Sequence, residues 1–243
     1  MINTYGDFIR GVDVDNHSAP TAPELVNGIL QPKAVRNVGL AFFTLAALCG
    51  LLLFYFRGWT IILLGIVGLI GGYGYTAGIA YKYKGLGTIC VFFLMGPLMV
   101  GGAYFVQTAT LNLPVFLISL PVACLVASIL HSNDMRDLAF DDGAGISTLA
   151  LALGREKSVR LSQVLNIAPF FLLVCFVWVG WLPWLCLITL IMLLPLPHLF
   201  ANARLTVQGI DTARLQMEGL SAKQHFSFCI IYFLTLWIGA LFL

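Results

Sequence analysis

Charge is what this sequence has least of. Only 10% of its 243 residues are Asp, Glu, Lys or Arg, whereas a soluble domain carries about a quarter. That deficit excludes an ordinary water-soluble globule. Histidine is sparse too: His17, His131, His198 and His225 fall in loops or at helix ends, and none reads as catalytic. The six cysteines (Cys49, Cys90, Cys124, Cys175, Cys186 and Cys229) are scattered singly through apolar runs. None forms a C-x-x-C or zinc spacing, and each reads as a small buried hydrophobe. The Gly71-Gly72-Tyr73-Gly74 run has no strand pattern before it, which excludes a nucleotide loop and leaves close helix packing as its reading.

What is present is apolar: 60% of the residues are hydrophobic. They gather into seven segments at roughly 38–56, 60–77, 88–107, 114–131, 160–180, 183–200 and 226–243. Segments of this length cross a hydrocarbon core of about 30 Å as helix. Helix is the expected form, because an open sheet edge cannot stand in lipid. The fold class is therefore an all-α multi-span membrane protein with about seven transmembrane helices.

The loops give the orientation. If the helices alternate, one side collects Arg10, Lys33, Arg36, Lys82, Lys84, Arg136, Arg155, Lys157, Arg160, Arg204, Arg214 and Lys223, and the other receives only Arg57. Such an asymmetry places the N-terminal region and the 131–159 loop in the cytoplasm. All eleven acids fall on that same side, so the chemistry is expected on the cytoplasmic face of an inner, cytoplasmic-type membrane.

Four of the eleven acids lie in one stretch, His131 to Thr148. Read as helix, Asp134, Asp137 and Asp141 project from one face. Carboxylates about 5 Å apart repel by about 3 kcal/mol at an effective dielectric near 20, so the cluster calls for a bound cation. A second polar group opens the chain, with Asn3 and Asp7 at i and i+4, then Arg10 and Asp13. Between the two, Tyr75 to Gly87 sets Lys82 and Lys84 among aromatic residues. Acids and cations on one face suit a Mg²⁺-bridged diphosphate with its apolar tail between the helices. Read blandly, Lys82 and Lys84 are positive-inside anchors and the tyrosines are interfacial rings.

These motifs resemble those of the UbiA superfamily of intramembrane aromatic prenyltransferases. Asn133-Asp-Met-Arg-Asp137-Leu-Ala-Phe-Asp141-Asp-Gly-Ala-Gly145 is similar to the family's second aspartate-rich motif, and Asn3-Thr-Tyr-Gly-Asp7-Phe-Ile-Arg-Gly-Val-Asp13 to its first. Tyr83-Lys-Gly-Leu-Gly87 and the run Gly102-Ala-Tyr104-Phe-Val-Gln107 resemble the branch that acts on 1,4-dihydroxy-2-naphthoate. The resemblance implies Mg²⁺-dependent transfer of a polyprenyl group from polyprenyl diphosphate to an aromatic acceptor, as in menaquinone biosynthesis. It implies Asp7, Asp137 and Asp141 as catalytic aspartates. Asn3, Asp7, Asp13, Asp134, Asp137 and Asp141 would be the metal ligands. Arg10, Lys82, Lys84 and Arg136 would bind diphosphate, and Tyr75, Tyr104 and Gln107 would line the substrate pocket. The partners implied are the two substrates and the bilayer, with no nucleic acid; the oligomeric state stays open.

The chain departs from the family pattern at three places. Thr4 replaces an acid, Gly11 stands where other branches carry a second acid, and Ile146-Ser147 replace a basic pair. The family bundle has nine helices with the first motif near the end of the second. Residues 1–243 are therefore expected to form a single transmembrane domain lacking the first helix and most of the second. The rival readings are a different aromatic acceptor, an inactive truncated copy, and a transporter. The last would spread acids through helix centres.

Overall fold

The computed structural model describes residues 1–11, 23–143 and 145–242; Asp13 lies outside them. Among the described residues the fold is helical without strands. A short α1 (Ile2–Ile9) leads to α2 (Pro32–Arg57) and α3 (Trp59–Gly74). Next come α4 (Gly87–Thr108) and α5 (Leu113–Arg136), then the short α6 (Leu138–Gly143) and α7 (Leu149–Leu153). The chain finishes with α8 (Arg155–Trp178), a 3-10 stretch Trp184–Leu193, α9 (Leu196–Val207) and α10 (Asp211–Ala240).

Every one of the seven predicted apolar segments falls largely on helix, but they do not make seven equal spans. Four helices (α2, α4, α5 and α8) are individually long and apolar enough to cross a membrane, and a fifth span results if the 3-10 stretch and α9 count as one. Those last two meet at 43° around Pro195 and Pro197, where missing amide protons interrupt the helical ladder. α3 has 16 residues, and the first half of α10 carries Asp211, Arg214, Glu218 and Lys223, which shortens its apolar part.

α5 is the central post, packed against α8 and α10. In membranes, close packing between helices replaces the hydrophobic drive that water supplies. Leu125 of α5, Phe170 and Leu173 of α8, and Phe228 of α10 form one buried cluster, with the Phe170 and Phe228 rings edge to face at 5.4 Å. α4 also leans on α5. At Pro97 the α4 backbone widens into a π turn, which accommodates the missing amide donor. There Gly96 lies so close to Ala123 that any added Cβ would clash with it. α2, by contrast, buries only Val35 and Gly39. The buried contacts concentrate in α5, α8 and α10, and the aspartate stretch begins in the last turns of α5.

Candidate active site

The first motif is a helix because Asn3 and Asp7 share one face of α1, where the Asn3 Nδ2 donates to Asp7 Oδ2 at 3.1 Å. Asp7 is only 2% exposed, and a buried carboxylate needs a cation and donors. Lys82 supplies the charge, with Nζ at 2.7 and 2.8 Å from the two Asp7 oxygens. The Tyr83 hydroxyl adds a third bond at 2.8 Å to Oδ1. Burial and the Asp7 charge push the Tyr83 hydroxyl pKa well up, so Tyr83 stays a proton donor.

Asn3 is fixed in turn by Thr76, whose Oγ1 donates to Asn3 Oδ1 at 3.0 Å. Gly6 allows this approach: a Cβ there would run into the Thr76 side chain and come 3.2 Å from the Tyr83 hydroxyl. Arg10 donates to the Thr76 carbonyl at 3.0 Å and lies 4.3 Å from the centre of the Tyr83 ring. It braces the 75–86 loop from outside.

The second motif is not one continuous helix. α5 stops at Arg136, and Asp137 leaves the helical region, with φ −98° and ψ 8°. The chain re-enters helix at once, with the Asp141 amide on the Asp137 carbonyl at 2.9 Å. Asp134, Asp137 and Asp141 thus come from three settings (the last turn of α5, the break, and α6), yet all three line one cleft. Arg136 ties the break to its neighbours. Its Nε and Nη2 clamp both Asp137 oxygens at 2.8 and 2.6 Å, while its Nη1 reaches Glu218 of α10 at 2.5 Å.

Asp134 and Asp141 have no such partner. Asp134 receives one long bond from Thr88, at 3.5 Å, and no cationic side chain ion-pairs with either among the described residues. Asp141 is 5% exposed. Burial, then the charges of Asp137 and Asp134, push its carboxyl pKa up to about 7, against a lowering by Lys82.

The two motifs face each other across a cavity of about 90 Å³, with Asn3, Asp7, Lys82 and Tyr83 on one wall and Asp134, Asp137 and Asp141 on the other. Tyr75 lines it too; Lys82 Nζ lies 6.0 Å from its ring centre and 5.5 Å from that of Tyr83. Backbone joins the walls: the Ser147 amide donates to the Tyr83 carbonyl at 3.3 Å, forming an isolated parallel bridge between Lys84 and Ser147.

Of the other expected residues, Arg136 lines the cleft, whereas Lys84, Tyr104 and Gln107 do not. Lys84 contributes that bridge, while its side chain is exposed and not on the cleft wall. Tyr104 and Gln107 lie at the far end of α4, about 25 Å along the helix from Thr88, with Gln107 offering its carbonyl to Arg57 at 3.3 Å. They take no part in this cleft because sixteen or more residues of helix separate them from it. Arg136, expected on phosphate, has every guanidinium nitrogen engaged by a carboxylate.

The structure adds residues that sequence reasoning missed. Asn133 lines the cleft with its buried Oδ1 lacking any partner, and its place inside the second motif was the only sequence signal. Glu218 and Gly6 gave none.

Whether the residues fit Mg²⁺ can be judged from this donor set. Among the described residues no three carboxylates, imidazoles or thiols converge into a preformed cage. Mg²⁺ does not need one, since it binds through one or two carboxylates plus substrate phosphates and waters. Two unneutralised carboxylates and an orphaned amide oxygen on one wall are a hard, oxygen-only set, and they fit.

The model of the UbiA prenyltransferase family matches residues 1–217. Over 175 residues the chain is 35% identical to the protein named UbiA prenyltransferase domain-containing protein 1 in Mus musculus and in Homo sapiens, covering 71% of this chain and 51% of each relative. It is 33% identical over 180 residues to the 1,4-dihydroxy-2-naphthoate octaprenyltransferase of Bacillus subtilis, covering 74% of this chain and 56% of that protein. The chain spans about half the length of the curated relatives it matches.

Proposed function

The chain belongs to the UbiA prenyltransferase family, and from that premise we propose that it carries the polar head of a site transferring a polyprenyl group from polyprenyl diphosphate to an aromatic acceptor. The acceptor proposed is 1,4-dihydroxy-2-naphthoate, as in the name of the Bacillus subtilis relative. The site would face the cytoplasm, because alternation of the seven apolar segments would put twelve of the thirteen Lys and Arg residues on its side. The observation that carries this reading is the opposition of the two motifs across one cleft, with Lys82 between them.

In the proposed reaction the allylic carbon–oxygen bond breaks, diphosphate leaves, and an electron-rich ring carbon bonds to the allylic carbon and loses its proton. The barrier is the charge separation, so catalysis rests on groups already aimed at the leaving anion. Mg²⁺, held by Asp134, Asp141 and Asn133 with Asp137 beside them, would neutralise the departing diphosphate. Lys82 is the mobile cation of the site: its ammonium, now on Asp7, can turn to a phosphate oxygen while Tyr83 continues to donate to Asp7. Arg136 holds Asp137 in place rather than touching phosphate. The Tyr75 and Tyr83 rings lie near a cation already, and the same π systems would stabilise the positive allylic carbon.

The test uses membranes containing this chain, a labelled polyprenyl diphosphate and dihydroxynaphthoate. A lipid-soluble labelled product is expected with Mg²⁺, lost on chelation and restored by added Mg²⁺. Product formation in chelator, or none from this acceptor while another aromatic is prenylated, would defeat the metal or the acceptor assignment respectively.

A further inference from the structure

On the same end of the molecule as the cleft, but outside it, a cavity of about 510 Å³ opens between α8 and α9. Three arginines line it, Arg155 and Arg160 from α8 and Arg204 from α9, over a floor that includes Val159 and Val207. None of the three guanidinium groups has an ion pair or hydrogen bond among the described residues. The other arginines of this end, Arg10, Arg36, Arg136 and Arg214, each hold a side-chain or backbone acceptor. One carboxylate, Glu156, shares the cavity, so the cavity keeps an excess of positive charge.

The surface below this cavity is apolar. Val164, Ile167, Phe171 and Val174 of α8 are each at least 43% exposed. Counting from Arg160, they recur at steps of four and three, which places them in one stripe along the helix beneath that arginine. A cationic recess at the head of an exposed apolar helix face matches a molecule with an anionic head and a hydrocarbon tail. Basic pockets between helices at the membrane boundary hold phosphate head groups in this way.

We propose that the α8–α9 cavity is a binding site for the phosphate head group of an anionic phospholipid, held by Arg155, Arg160 and Arg204 with an acyl chain along the Val164–Val174 stripe. The planar guanidinium fork suits phosphate oxygens, two bonds at a time. The site is separate from the proposed diphosphate cleft, with which it shares no lining residue.

The test follows thermal unfolding of the full chain in detergent while dioleoyl phosphatidylglycerol is titrated in, with dioleoyl phosphatidylcholine and inorganic phosphate as parallel titrations. Phosphatidylglycerol is expected to raise the midpoint saturably, and the other two to leave it unchanged. Arg204→Gln is expected to weaken the apparent affinity about fivefold, and Arg155→Gln/Arg160→Gln/Arg204→Gln to abolish the shift. Lys33→Gln, a cation away from the cavity, keeps it. If the triple variant gives no cooperative transition, the single variant decides alone. An unchanged affinity in Arg204→Gln, or an equal shift with phosphatidylcholine, overturns the proposal; an equal shift with inorganic phosphate replaces the lipid by a soluble anion and overturns it too.

Discussion

The two walls of the cleft carry similar residues and opposite charge states. On the α1 wall, Asp7 is enclosed by Lys82, Tyr83 and Asn3, and its charge is balanced within the protein. On the α5–α6 wall, Arg136 balances Asp137, while burial raises the Asp141 carboxyl pKa to about 7. On the α1 wall Lys82 pairs with the buried aspartate, and on the α5–α6 wall Asp134 and Asp141 have no ion-pair partner among the described residues.

The difference between the walls can be broken in four ways. Removing an unpaired carboxylate of the charge-deficient wall should cost most: Asp134→Ala is expected to lower prenyl transfer about 10²–10³-fold, measured as labelled product with excess Mg²⁺. Full activity would put the metal elsewhere. Next, Lys82→Met leaves Asp7 buried with no cation, a loss of about 3 kcal/mol in stability, read as a lower thermal midpoint. On the α1 wall this should occur with or without Mg²⁺, and rescue by Mg²⁺ would erase the distinction between the walls.

A smaller effect belongs to packing. Gly6→Ala pushes against Thr76 and Tyr83 and is expected to cost about 1–3 kcal/mol, seen in the same melt. Retained stability would mean that α1 can lift away from the loop without penalty. The gentlest test is pH. The Asp141 carboxyl sits at about 7 in the folded protein and near 4 when unfolded. The folded state holds that proton more tightly, so its stabilisation is full below about pH 4 and is lost as pH rises through 7. In chelator the thermal midpoint should fall from pH 5 to 8, and Asp141→Asn should flatten the slope. A midpoint rising over that range would reverse the sign.

Much of this was legible in the chain. Apolar runs announced the helices, and the spacing of Asp134, Asp137 and Asp141 placed them on one wall even though the helix breaks between them. Their shared face survived because α6 restarts at once, rotating Asp141 back towards α5. Pairings across long separations were not legible. Sequence cannot reveal that Glu218 waits 82 residues on from Arg136 or that Asp7 lies within reach of Lys82. Tyr104 and Gln107 lie away from the cleft because α4 carries them about 25 Å along its length from Thr88.

The bridge between Lys84 and Ser147 has an implication for how freely the site can vary. It is made of backbone amide and carbonyl groups, so the clasp between the two motifs does not depend on which side chains stand at those positions. Both side chains are exposed, leaving the pair interchangeable in chemistry while the gap between the walls stays set. Proline at position 147 is the exception, since it removes the donor that fastens the two loops. A library randomised at residues 84 and 147 should accordingly tolerate nearly every residue at the first and reject that one at the second.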